Sequence, residues 1–142
     1  MTGLAGEVRR RASDRCEYCR LPQSPFRRPF HIEHVVARQH GGRSGLDNLA
    51  LACWTCNLKK GPNLSGIDPA TSRVEALFNP RNEEWEEHFS PEIDLLKPLS
   101  VTIRGLTPTG RATIQVLGLN DEMRQLIRYQ FWTEGLYEAV IG

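Results

Sequence analysis

Four cysteines fall as two C-x-x-C pairs, Cys16-Glu17-Tyr18-Cys19 and Cys53-Trp54-Thr55-Cys56, with 33 residues between them. Each pair sits on a tight turn that aims both sulfurs at one point, and soft thiolates suit zinc, so the spacing predicts a tetrahedral four-thiolate zinc site. Such a site staples two distant stretches of chain and thereby constrains everything between them. Disulfides are not expected in a chain whose start, Met1 to Glu7, has neither the apolar core nor the cleavage pattern of an export signal. A redox pair would not need a second copy, and no long strand precedes either knuckle. No apolar run approaches the roughly 20 residues of a membrane span, and the expected location is cytoplasmic.

The pattern around the cysteines predicts an α+β fold. Leu4 to Ala12 reads as a short helix with Leu4, Val8 and Ala12 on one face and arginines on the other. Leu21 to Pro29 is loop, because three prolines interrupt any ladder. Phe30 to His34 and Asn48 to Cys53 read as short strands separated by a Gly-rich loop around Gly41-Gly42, and the second knuckle opens a helix stopped by Gly61-Pro62. Residues 1–61 are thus expected to form a zinc-stapled core with an N-terminal helix, and residues 62–142 an extension of strands and two helices packed on it. In that extension Ser65 to Pro69 is turn-rich, Val74 to Phe78 and Leu99 to Ile103 are strand candidates, and Trp85 to Phe89 alternates apolar and charged residues. Thr107-Pro108 has the form of an N-cap followed by proline at the first helical position, predicting a helix to about Leu117. A longer helix follows Asn120-Asp121-Glu122, with Met123, Leu126, Ile127, Phe131 and Tyr137 on its expected buried face.

Charge divides the chain at the same place. Residues 1–61 carry eleven Lys/Arg against five Asp/Glu, a balance of +6, whereas residues 62–142 hold seven against twelve, a balance of −5. A basic half attracts a polyanion such as nucleic acid, although the same charges spread around a solvated surface would carry no such meaning.

The chemistry-bearing stretch is His31-Ile32-Glu33-His34, then Asn48, then Cys53-Trp54-Thr55-Cys56-Asn57. Hydrolysis of a phosphodiester needs a base for water, a cation for developing oxyanion charge and groups that hold both. An imidazole titrating near neutrality is a natural base, and a carboxylate with an amide oxygen suits magnesium or manganese. Neighbouring strand residues point to opposite faces, so Glu33 and His34 converge on one phosphate only if the strand ends at them.

Over residues 16–61 this order of motifs (C-x-x-C, H-I-E-H, G-G, D-N-L, C-x-x-C-N-x-x-K-G) resembles the HNH endonuclease family, in its zinc-bearing four-cysteine branch. The resemblance implies a ββα-metal core whose zinc, held by Cys16, Cys19, Cys53 and Cys56, does no chemistry. It implies His34 as general base, Glu33 as carboxylate ligand of a catalytic divalent ion, Asn48 as the brace of the loop presenting the histidine, and Asn57, in the asparagine variant of the third signature position, as second ligand. It further implies a metal-dependent endonuclease, with magnesium or manganese as the catalytic ion, double-stranded DNA as substrate and products ending in 5′-phosphate and 3′-hydroxyl. The rival is a non-catalytic zinc-knuckle module binding nucleic acid or protein, which would have no use for Glu33, His34 and Asn57 together. A partner or second copy engaging residues 62–142 is a third possibility.

Other residues carry plainer expectations. His31 is assigned a structural role, His40 a loop position and His88 a solvated one. Lys59 and Lys60 either contact phosphate or complement the dipole at the end of their helix. Trp85, Phe89, Phe131 and Trp132 are expected in the core.

Overall fold

Apolar side chains in the first sixty residues are too sparse for a large core, and most of those buried are drawn to the cysteines. The computed structural model describes residues 3–142. These divide into two units: one takes in the described residues up to Leu64 together with Asn79–Glu83, the other comprises Ser65–Phe78 and Glu84–Gly142.

In the first unit, helix α1 (Gly3–Arg11) buries Val8 completely. Strands β1 (His31–His34) and β2 (Leu49–Ala52) form an antiparallel hairpin with His31 opposite Ala52 and His34 opposite Leu49. All four residues of β2, Leu-Ala-Leu-Ala, are buried, which explains why small and apolar residues replace the usual alternation. Helix α2 (Trp54–Lys60) follows directly, with Cys53 as its N-cap. Asn57 closes the far end by accepting the Gly61 N–H at its carbonyl. Strand, loop, strand and helix therefore occur in the predicted order, and the ββα core is present.

The second unit holds a small hairpin, β3 (Ser65–Ile67) with β4 (Val74–Ala76), and a three-stranded sheet in the order β6-β5-β7. Strand β5 (Phe89–Ile93) runs antiparallel to β6 (Val101–Gly105) and parallel to β7 (Val140–Ile141). A single helical turn, α3 (Trp85–His88), leads into β5, so the alternating stretch from Trp85 is helix first and strand after. Helix α4 (Pro108–Leu117) packs on β3, β4 and β6, and α5 (Glu122–Thr133) on β6. The Thr107 hydroxyl accepts the Gly110 N–H at 2.9 Å, with Pro108 next in line, as the sequence predicts. A side chain at Gly110 would put Cβ 2.2 Å from the His88 carbonyl oxygen, so glycine lets α4 begin against the end of α3.

Three expectations are corrected here. The residues from Ser65, read as turn, form strand β3. On α5 the buried side chains are Gln125, Arg128 and Phe131, while Met123 and Leu126 are 67% and 45% exposed. The face is rotated because Arg128 satisfies the Val101 carbonyl at 3.0 Å and Asn120 Oδ1 at 3.1 Å, and Gln125 donates to the Asn120 carbonyl. His88 is buried, its Nδ1 2.6 Å from the Thr107 hydroxyl. Trp85, Phe89 and Phe131 lie in the core as expected, whereas Trp132 is only half-buried. No helix among the described residues is long and apolar enough to cross a membrane.

Candidate active site and metal centre

Cys16 opens a turn closed by the Arg20 N–H on its carbonyl (2.9 Å) and by its own N–H on Leu21 (2.9 Å), with Arg20 in the left-handed region at φ 68°. Cys53 and Cys56 sit at the N-cap and first turn of α2. These two turns bring the four sulfurs within 4.8 Å of one another, all buried, with Cys19 and Cys53 Sγ 3.8 Å apart. A tetrahedron with metal–sulfur bonds of about 2.3 Å has an edge of about 3.8 Å. The donor set and its spacing therefore fit zinc. Burial pushes the Cys16 and Cys56 thiols well above their ordinary range, so it takes a bound cation to hold them as thiolates.

The residues between Cys16 and Cys19 tie the knuckle to the hairpin. The Glu17 backbone donates to the Leu51 carbonyl at 2.8 Å, and its carboxylate accepts the Leu51 N–H at 2.9 Å, so the knuckle pairs with the outer edge of β2. The other Glu17 oxygen is held by Arg81 in a pair nine-tenths buried. Tyr18 reaches β1: its hydroxyl donates to Glu33 Oε1.

Glu33 is turned inward, 7% exposed. Its second oxygen lies 3.5 Å from the ammonium of Lys60, itself 2% exposed and donating to the Val35 carbonyl at 2.9 Å. Burial raises the Glu33 carboxyl above its ordinary value, opposed by Lys60 and Tyr18. Tyr18 is pushed up by the same burial and by the Glu33 charge. The strand does end at His34, yet the two neighbours still diverge. Glu33 meets Tyr18 and Lys60, while His34 meets the loop that follows. A divalent ion does not fit at Glu33 as it stands, because one oxygen is bound by a hydroxyl and the other faces an ammonium.

His34 is half-buried, its Nε2 2.8 Å from Ser44 Oγ and 3.5 Å from Arg38 Nε; Arg38 also donates to Ser44 Oγ at 3.1 Å. Asn48 clamps the connection between β1 and β2. Its Oδ1 accepts the Val36 N–H at 2.9 Å, and its Nδ2 donates to the carbonyls of Val36 (2.9 Å) and Arg43 (2.8 Å). A Cβ at Gly42 would fall 1.8 Å from the Val36 carbonyl oxygen, so the loop closes this tightly only with glycine there. Asn57, half-buried on α2, has a side-chain amide that hydrogen-bonds no other described residue.

Several basic residues prove to be structural. Arg9 donates to the Phe30 carbonyl and Arg11 to those of Leu46 and Leu49, fastening α1 to the hairpin. Lys60 is an internal cation, which displaces both expectations made for it. Arg27, Arg28, Arg38, Arg43 and Lys59 remain exposed, as do His31 and His40, and Arg28 stacks 4.3 Å over the ring of Trp54. Tyr18, Lys60, Arg38 and Ser44 were missed from sequence. A polar aromatic inside a zinc knuckle was the one usable signal among them.

A hairpin and a helix stapled by four cysteines define a zinc-knuckle ββα domain. Residues 16–63 match the family model described as HNH endonuclease, and this stretch of the chain is an HNH domain, a nuclease-type module related to nucleic acids. No curated protein and no solved structure matches the chain.

Proposed function

We propose that the protein is a metal-dependent endonuclease that hydrolyses phosphodiester bonds of double-stranded DNA, with His34 as general base. The observation that carries this reading is the presentation of the His34 imidazole at the end of β1, on a loop clamped by Asn48, within a domain matching HNH endonucleases. His34 takes the proton of the water that attacks phosphorus; the bond to the 3′ oxygen breaks, and that oxygen leaves to become a hydroxyl. The 5′-phosphate stays on the other fragment. A divalent magnesium or manganese ion supplies charge for the developing oxyanion when bound. Asn57 has the side chain free to hold it, and Glu33 joins only by giving up Lys60. Exposed arginines of the first unit suit the phosphate backbone.

The test is incubation of zinc-loaded protein with plasmid, with and without magnesium or manganese, beside His34→Ala. Cleavage should require the added ion and fall ~10²–10⁴-fold in the variant while its fold persists. Cleavage by His34→Ala at the wild-type rate would reject the assignment. Binding without cleavage under any ion would leave a non-catalytic nucleic-acid module.

A further inference from the structure

We infer that Ser44, steadied by Arg38, is a positioning residue that holds Nε2 of His34 so that Nδ1 faces the reacting water, an inference that rests on the nuclease reading above. A neutral imidazole carries one N–H and one lone pair. If Nδ1 held the proton, Nε2 would have to accept, and its lone pair would be committed to the Ser44 hydroxyl at 2.8 Å and to Arg38. No lone pair would then remain for water. If Nε2 holds the proton, it donates to Ser44 Oγ, and Nδ1 is free to act as base.

The surroundings favour the second arrangement. Arg38 Nη2 donates to the same Ser44 oxygen at 3.1 Å, so that oxygen is already placed as an acceptor. Its backbone is pinned as well, since Asn48 bonds the Arg43 carbonyl immediately before it. Proton uptake at Nδ1 leaves the Nε2–H···Ser44 bond intact, so the ring need not turn during the reaction. The guanidinium of Arg38, 3.5 Å from the ring nitrogen, also stands where it disfavours lasting positive charge on the imidazole.

The experiment uses the full zinc-loaded chain, with nitrogen-15 NMR of the histidine rings and plasmid cleavage in parallel. Wild type should show His34 protonated at Nε2, with an Nε2–H proton slow enough in exchange to be observed. Ser44→Ala should lose that proton signal and about tenfold in kcat, the worth of one hydrogen bond, with KM unchanged. Ser44→Thr, which keeps the hydroxyl, should restore both. A wild-type ring protonated at Nδ1, or a Ser44→Ala protein with unchanged exchange and kcat, would overturn the inference. Failure of the nuclease reading shows separately, as full activity in His34→Ala.

Discussion

Tyr18, inside the first cysteine knuckle, donates its hydroxyl proton to Glu33, the residue beside His34 on β1. The zinc centre is thereby joined to the strand that ends at the base. On the far side the same carboxylate faces Lys60 of α2, so one buried acid collects the knuckle, β1 and the helix.

Lys60→Met should leave the Glu33 carboxylate buried without its cation and cost about 3–5 kcal/mol. Tyr18→Phe removes one donor and should cost about 1–3 kcal/mol. Combining Lys60→Met with Glu33→Leu should recover most of the loss, because no lone buried charge remains. Urea titration of the zinc-loaded proteins checks all three. A double variant no better than Lys60→Met would mean that Glu33 contributes through something other than this pair.

Asn48→Ala removes three hydrogen bonds from the loop between β1 and β2. Two carbonyls and an amide then turn to water, and the span from Val36 to Ser44 loosens. A stability loss of about 1–3 kcal/mol is expected. Cleavage should fall by more than the unfolded fraction explains, because the partners of His34 lie on that span. Hydrogen exchange at the Val36 amide reports the loosening directly; unchanged protection there would reject the clamp.

The zinc knuckles, the hairpin, α2 and the start of α4 were legible because each rests on local chemistry: cysteine spacing, short apolar runs, and a threonine before a proline. The buried face of α5 was not. Hydrophobic periodicity assumes that apolar residues go inward, and here Arg128 and Gln125 go inward to satisfy β6 and its surroundings. Lys60 and His88 were hidden for the same reason, since a polar residue is buried only when a partner distant in sequence exists. At the site, alternation along β1 was foreseen to set Glu33 and His34 apart. What held Glu33 on its own side was Tyr18 and Lys60, which only the folded chain brings together.

In the second unit, Asp68 is fully buried and accepts from Arg111 Nε at 3.0 Å and Nη2 at 2.9 Å. Arg111 chiefly, helped by the Ala70 N–H and the Thr71 hydroxyl and opposed by burial, holds its carboxyl down to about 2 from an ordinary 3.8. Because the folded value is the lower one, the contribution to stability is complete above the ordinary value and is lost as pH falls through about 2. Asp68→Asn should be less stable than wild type near neutrality, and the gap should close on acidification. Thermal unfolding across that range tests it. A gap independent of pH would show that the charge of Asp68 is not what stabilises the unit.

Two metals with different affinities should be separable in one titration. Four buried thiolates hold zinc closely, and in small domains such a metal supplies ~10–16 kcal/mol of apparent folding free energy. Cys53→Ser should therefore unfold the first unit, and metal analysis of wild type should find about one zinc per chain. The catalytic ion has only Asn57 freely available, with Glu33 engaged by Tyr18 and Lys60, and its remaining positions would fall to water and phosphate. Dilute EDTA should stop cleavage while zinc and fold persist, and magnesium or manganese should restore it. Asn57→Ala should raise the ion concentration needed for half-maximal cleavage without changing zinc content. Should zinc and activity instead disappear together, with neither ion able to rescue cleavage, a separate hard-metal site at Asn57 and Glu33 is ruled out.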